Sequence, residues 1–370
     1  MVLTNFPYDP LLDLAPWVGQ RQCTYRFDLI NGTSGENKGE ITPIRGASLS
    51  HDTGRVIKRQ LTLGLGVRDT ALVDPVQDRV LVAMVFPNGQ EYPLGRYMFT
   101  DESDQIFTSG ELSNVVLNDE MYLVDQAITQ GFDGSTTSLS STNPAATSPA
   151  ASPAGFAITS IIIALFNDLP VRIKNEPSPF TSTQSWGIGT KRGSIIEDLA
   201  LTGDYFSPWF GNDTYLHFIR AFNPATQIPD LDWDSGNQVM RASILRSSNI
   251  LNAPNRFVVI SNAPSSKKEP TFAVANIPAN APHSFEKRGF IIADVRDISA
   301  VSTAQCAAIA ANLAERQMIF ETTTITTAPD PRHDSYNVIR WQGSNWLELS
   351  WTMTLTEGAP MSHTLRRSYR

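Results

Sequence analysis

The sequence predicts a β-rich α+β protein whose first third is an antiparallel sandwich or barrel. Three observations predict it. Apolar positions recur with period two between Arg21 and Asn118, as in Arg59-Gln60-Leu61-Thr62-Leu63-Gly64-Leu65 and Arg79-Val80-Leu81-Val82-Ala83-Met84-Val85. The turn pairs Asn31-Gly32 and Asn88-Gly89 fall between such runs, and pairs of this kind supply the positive backbone angles that tight hairpins demand. Helical patterns begin only after Asn118, and short strands with no helix between them pair antiparallel.

Composition bounds the rest. A chain of 370 residues has room for two or three domains and needs no disulfide or metal to build a core. Hydrophobic residues make up 41% and charged residues 18%, so polarity rests on Ser, Thr, Asn and Gln, which excludes a charged disordered chain and a coiled coil. The 23 Gly and 24 Pro follow no strict period, which excludes collagen-like repeats. With 29 basic and 37 acidic residues the formal charge is −8, the wrong sign for a protein held by phosphate contacts. Cys23 and Cys306 lie in no metal-ligand spacing, and Cys306 reads as a buried free thiol in an Ala-rich helix. The longest apolar stretch, Ile158 to Leu169, is shorter than the roughly 18 residues of a membrane span. Met1 to Gln20 lacks a basic first segment and carries Pro7, Pro10 and Pro16, so no export signal is read.

Along the chain, Pro93-Leu94-Gly95 punctuates the strands before Arg96 to Thr100, and the first helical pattern is Met121, Leu123, Val124 and Ile128. Gly134 to Gly155 is almost wholly Ser, Thr, Ala, Asn, Pro and Gly, with nothing to bury, and reads as a linker or exposed loop. Thr159 or Ser160 is placed to cap a helix through Leu169. Ser194-Ile195-Ile196-Glu197 has the form of a capping box, with Gly203 ending that helix and Ile195, Ile196, Leu199 and Ala200 on its apolar face. Strands are predicted at Tyr205 to Phe210, Leu216 to Phe222 and Arg256 to Ile260. The loop from Pro264 to Pro282 holds a short strand, Phe272 to Val274. The longest helix is Ser302 to Ile319, burying Cys306, Ile309, Ala310, Leu313 and Met318. Glu321 to Thr327 and Trp346 to Leu355 are β-patterned and joined through Pro329-Asp330-Pro331, and a basic tail of Arg366, Arg367 and Arg370 closes the chain.

Catalytic signatures are missing: no Gly-x-Ser-x-Gly, no His-Glu-x-x-His and no Cys-x-x-Cys occurs. His333 beside Asp334 could serve as an oriented base, or as a hydrogen-bonded turn element. Glu197 and Asp198 point about a hundred degrees apart on a helix and cannot share one substrate. Gly64 and Gly66 lack the third glycine of a dinucleotide fingerprint. Lys267-Lys268 and Lys287-Arg288 read as solvated basic pairs. Trp341, Trp346 and Trp351 could form a glycan platform or an interface, or belong to the core. Asn31-Gly32-Thr33 and Asn212-Asp213-Thr214 match glycosylation acceptors by chance. No catalytic, cofactor-binding or metal site is assigned. Arg numbers 22 and Lys 7, a bias found where protein surfaces meet.

Taken in order, several segments resemble the hub proteins of bacteriophage tail tips and baseplates, in particular minor tail proteins of long-tailed phages of actinobacteria. These are Lys58 to Val67, Asp78-Arg79-Val80 onward, and Tyr92-Pro93-Leu94-Gly95-Arg96-Tyr97 with an acidic turn at Asp101 to Asp104 and a strand leading to Leu117-Asn118-Asp119. Arg192 to Ala200, Asn252 to Val259, Pro329 to Asp334 and Leu355 to Thr364 complete the series.

The resemblance implies a non-enzymatic homotrimer with two tube-like antiparallel β-barrels per chain and inserted α/β segments. It would join the tail tube and distal tail proteins, the tape-measure protein and downstream tip proteins around a DNA channel, in the virion, with no stable membrane anchor. On that basis residues 1–21 form an N-terminal arm, 22–130 the first barrel, 131–155 the linker, 156–320 the inserted segments with strands of the second barrel, and 321–370 its last strands. The family often carries a wall-cleaving extension downstream; none follows Arg370, and no wall activity is expected. The alternatives are a receptor- or glycan-binding tail protein using the three tryptophans and a cell-wall hydrolase using His333.

Overall fold

The computed structural model describes residues 23–66, 72–107, 110–126, 132–133, 156–166, 171–182, 185–186, 188–234, 240–247, 252–261, 271–298, 302–316 and 319–368. The expected arm over 1–21, the linker over 134–155, the helix residues Ile128, Leu169 and Met318, the pair Lys267-Lys268 and Arg370 lie outside them.

The first part is all β, as the period-two pattern requires. Strands β1 (Thr24–Asn31), β2 (Asn37–Glu40), β3 (Arg45–Asp52), β4 (Arg59–Gly66), β5 (Asp78–Val85), β6 (Glu91–Phe107) and β7 (Gly110–Asp119) follow one another. Their hydrogen-bonded order is β3-β4-β7-β6-β5-β1-β2, antiparallel throughout. Alternate residues of β4 and β5, among them Leu61, Leu63, Val80 and Val82, are buried against Phe27, Leu49, Leu117 and Trp351 in one apolar cluster. Gly89 takes the left-handed angle expected of it, with φ at +81°. In the other turn that angle falls on Gly35, with φ at +73°, and not on Gly32. Gly32 is required for a different reason: a Cβ there would stand 2.8 Å from the Gln77 carbonyl oxygen. Pro93 and Gly95 do not interrupt β6 but sit at an irregularity in its pairing with β5, where Gly95 has φ at +115°. The acidic stretch Asp101 to Asp104 is not a turn. It continues β6, paired with Ser113 to Val116 of β7.

Asp119 ends β7 and starts helix α1 (Met121–Gln126), its Oδ1 accepting from the Met121 N–H and its Oδ2 from the Arg59 N–H, both at 3.0 Å. Burial pushes this carboxyl up to about 6, and the two backbone donors and the Arg59 and Lys58 charges hold it from rising further. A folded carboxyl that holds its proton more tightly than the unfolded one adds stability at low pH. That contribution is full below the ordinary value of 3.8 and is lost as pH rises through about 6. Wild-type stability measured against Asp119→Asn should therefore fall by about 2 kcal/mol between pH 4 and pH 6.5 in urea titrations. A difference that stays flat over that range would refute the assignment.

The middle of the chain supplies short pairs, β8 (Phe132–Asp133) with β12 (Ser185–Trp186) and β9 (Phe156–Ala157) with β11 (Thr181–Ser182). A three-stranded sheet runs β10 (Ile173–Asn175), β14 (Leu216–Phe218), β13 (Trp209–Phe210). Helices α2 (Ile158–Leu165) and α3 (Arg192–Thr202) pack on α1 and this sheet, burying Ile161, Ile162, Ile195, Ile196, Leu199 and Phe218. The predicted apolar face of α3 is the observed one. Its predicted start is not: the N-cap is Lys191, Ser194 lies inside the first turn, and Glu197 instead accepts from the Ser207 hydroxyl at 2.6 Å. Likewise α2 begins after Ala157, without a side-chain cap from Thr159 or Ser160. Gly203 does stand at the C-cap of α3, in a right-handed conformation, and a Cβ there would lie 2.5 Å from the Tyr205 ring.

A second α/β layer packs β18 (Thr271–Asn276), β17 (Arg256–Ser261) and β19 (Ala293–Ile298), in that order, on the long helix α5 (Thr303–Arg316). The short helix α4 (Phe285–Arg288) precedes β19. Cys306, Ile309, Ala310 and Leu313 face this sheet as the 3.6-residue spacing predicts, and Cys23 and Cys306 are both buried and outside any disulfide.

The last strands return to the large sheet. β16 (Met240–Ser247), β20 (Ile319–Thr327), β23 (Met361–Ser368) and β22 (Ser344–Thr354) pair in that order, β21 (Val338–Trp341) pairs with β22, and β15 (Leu231–Asp232) with β21. β22 is the shared strand. Ser344 to Leu347 pair with β21, Ser350 to Thr354 pair with β3, and an irregularity between Glu348 and Ser350 separates the two registers on β23. All thirteen strands thus belong to one β-sheet, and among the described residues its path stays open, ending at β16 and β2, without closing into a cylinder.

Candidate functional site

β22 carries the polar groups at the centre of the protein because its bulge lets successive segments face different cores. Trp346 packs with Trp341, Trp233 and Leu365; Leu347 with Trp209, Tyr336 and Val338; Trp351 and Met353 with the core of the first part. The three tryptophans singled out in the sequence are therefore interior residues, with exposures of 4% for Trp341, 1% for Trp346 and 2% for Trp351. Trp346 Nε1 donates to the Trp341 carbonyl at 3.0 Å. Trp351 Nε1 donates to the Asp334 carbonyl at 2.9 Å, and its ring stacks on His51 at 5.4 Å. Rings satisfied and enclosed in this way present no face to a sugar or to another subunit.

Around Trp351 lies a polar seam joining three regions of the chain. Arg59, 1% exposed, ion-pairs through Nη2 with Asp334, and its Nη1 donates to Asn212 Oδ1 and to the Leu94 carbonyl. Its guanidinium lies 5.5 Å from the Trp351 ring centroid. Asn212 Nδ2 donates to the carbonyls of Pro331 at 3.0 Å and His333 at 2.9 Å, so this glycosylation-like asparagine is a structural strut. The Asp334 Oδ1 also accepts from Trp209 Nε1 at 3.0 Å and the Ser335 N–H at 2.9 Å. Nearby Lys58 donates to the Arg55 carbonyl and, at 2.7 Å, to Ser207 Oγ. Burial, with Arg59 and Lys58 alongside, pushes His51 well below the usual imidazole range and keeps it neutral.

His333 is not oriented by Asp334. Its Nδ1 meets Glu348 Oε2 at 2.8 Å, while His363 Nδ1 meets Glu348 Oε1 at 2.6 Å, so one carboxylate lies between two imidazoles. All three are buried, and their ligand-type atoms lie within 4.8 Å of one another. His363 Nε2 pairs with Thr327 Oγ1 at 2.8 Å, and the Trp233 ring covers both imidazoles, 6.0 Å from His333 and 5.3 Å from His363. Burial pushes Glu348 up to about 7, with the hydrogen bond from His363 working the other way, and burial lowers His363. Among the described residues the cluster is enclosed, with all three side chains buried and the Trp233 ring over both imidazoles.

The remaining sequence candidates have structural roles. Asp198 accepts from Trp186 Nε1, Lys287 and Arg288 donate to the carbonyls of Asn280 and Ala253, and Gly64 and Gly66 lie within β4. Glu348 and His363 were not singled out. The one available signal was the place of His363 between Met361 and Leu365 in a period-two row; Glu348 lies at the irregularity of β22, where the alternation breaks.

No model of a known protein family and no curated protein matches the sequence. Solved structures do match in fold. The tail protein of Neisseria meningitidis MC58 superposes with a TM-score of 0.58 at 12% identity, over 93% of this chain and 97% of that one. The 43 kDa tail protein of prophage MuSo2 from Shewanella oneidensis gives 0.58 at 11% identity, over 93% and 98%. Prophage tail protein gp18 from Listeria monocytogenes EGD-e gives 0.55 at 9% identity, over 92% and 94%. The chain has the fold of these phage tail proteins along nearly its whole length.

Proposed function

We propose that this chain is a structural component of a phage tail tip, the hub that joins the tail tube and distal ring to the host-contacting parts. The single observation that carries the reading is the superposition on a tail protein over 93% of this chain and 97% of its counterpart, since the likeness is not confined to one part of either chain. In this reading the β3-to-β2 half and the β16-to-β22 half of the large sheet are two tube-like units. Three chains place six such units around a channel.

Physical features of the chain support it. Among the described residues the sheet path ends at β16 on one side and β2 on the other, and every residue of β2 is exposed, so the sheet offers two unlike end strands for pairing with copies of the chain. Pairing between unlike edges is heterologous and closes into a ring when the rotation per subunit allows. A formal charge of −8 disfavours grip on DNA phosphates in transit. The burial of Trp341, Trp346 and Trp351 weighs against a glycan-binding alternative, and the enclosure of His333 against a hydrolase.

Immunogold labelling of purified virions should mark the tail tip, and sedimentation of the purified chain together with its neighbouring tail proteins should give three copies per complex. Absence of the protein from virions would end the proposal.

A further inference from the structure

The His333–Glu348–His363 cluster lies outside the tail reading and is built in a way that a hydrogen-bonded core does not require. Its donors come from three stretches of chain: the β20–β21 connection, β22 and β23. Both imidazoles direct the same atom, Nδ1, at one carboxylate, one ring to each oxygen. The far nitrogen of His363 is pinned by Thr327, an arrangement that fixes ring orientation in metal-ligating histidines. Glu348 meets the two imidazoles, while Arg332 ion-pairs with Asp330 and Arg59 with Asp334. A buried carboxylate is costly unless a positive charge compensates it.

We propose that His333, Glu348 and His363 bind one divalent transition-metal ion of the zinc type, through the two Nδ1 atoms and the Glu348 carboxylate. Two imidazoles and a carboxylate form a borderline donor set, which suits zinc or cobalt better than magnesium or calcium. The Trp233 cover and the burial of all three ligands make the ion a structural one, taken up as the chain folds and tying β22 and β23 to the turn before β21. The competing occupant is a proton shared between the same groups, with which no metal binds.

The test uses the full chain, unfolded with a chelator and refolded with zinc, with cobalt or with neither, followed by gel filtration. Expected are about one equivalent of retained metal, a visible d–d absorption band for the cobalt form, and a thermal midpoint raised by about 5 °C with zinc. Glu348→Gln, which keeps the shape and loses the charge, should retain none. The cobalt band of the unaltered chain decides the matter should that variant fail to fold. No retained metal in the unaltered chain, no visible band, or equal retention by folded Glu348→Gln would overturn the proposal.

Discussion

Asp334→Ala should cost about 4 kcal/mol of folding stability. The substitution leaves the Arg59 guanidinium, 1% exposed, without its ion-pair partner, and removing one member of a buried pair costs about 3–5 kcal/mol because the other charge stays desolvated. Trp209 Nε1 and the Ser335 N–H lose the same acceptor. Asp334 itself is 27% exposed, so water can replace part of what it supplies, which keeps the figure inside that range. Chemical denaturation of Asp334→Ala, Arg59→Leu and the double variant gives the coupling directly. The double variant should be more stable than the sum of the single losses predicts by about 2 kcal/mol, since it removes both charges together. Additive losses would mean that Arg59 and Asp334 are held by their other contacts and that the ion pair contributes little.

That seam also marks the limit of what the sequence made legible. Local information carried strands β4 and β5, the apolar face of α3 and the buried side of α5, because each depends on a period that neighbouring residues display. β23 escaped because its inward row is Met361, His363 and Leu365, and a histidine at a core position disguises the alternation. β20 was legible at Glu321 to Thr327 although it buries Glu321, Thr323 and Thr327 beside Ile325, because its run of threonines is β-branched. The capping box at Ser194 failed because tertiary structure gave Glu197 a different partner, Ser207, itself held by Lys58 from the other end of the chain. His333 was found and wrongly partnered. Adjacent residues suggest contact, but here Asp334 turns toward Arg59 and Trp209, while His333 turns toward Glu348. Pairing that depends on the offset between two distant strands, altered by a bulge at one of them, has no local signature.

Trp351→Ala tests whether β22 unites the two halves of the sheet or only borders them. The side chain is 2% exposed in the core of the first part, yet its backbone pairs with both β3 and β23 and its indole donates to Asp334. Truncating a fully buried tryptophan costs about 3–5 kcal/mol through lost burial and the cavity left behind. The Asp334 carbonyl loses a donor and the Arg59 guanidinium loses the ring beneath it, so the upper half of that range is expected. Trp351→Phe restores most of the apolar volume without the N–H and should recover about half of the loss. If β22 unites the halves, amide exchange in Trp351→Ala should rise in β4 and β21 together, since His51, Arg59 and the 333–335 turn all meet at this ring or its partners. Faster exchange confined to β3 and β4, with β21 as protected as in the unaltered chain, would mean that the two halves stand independently and that the shared strand is a border between them.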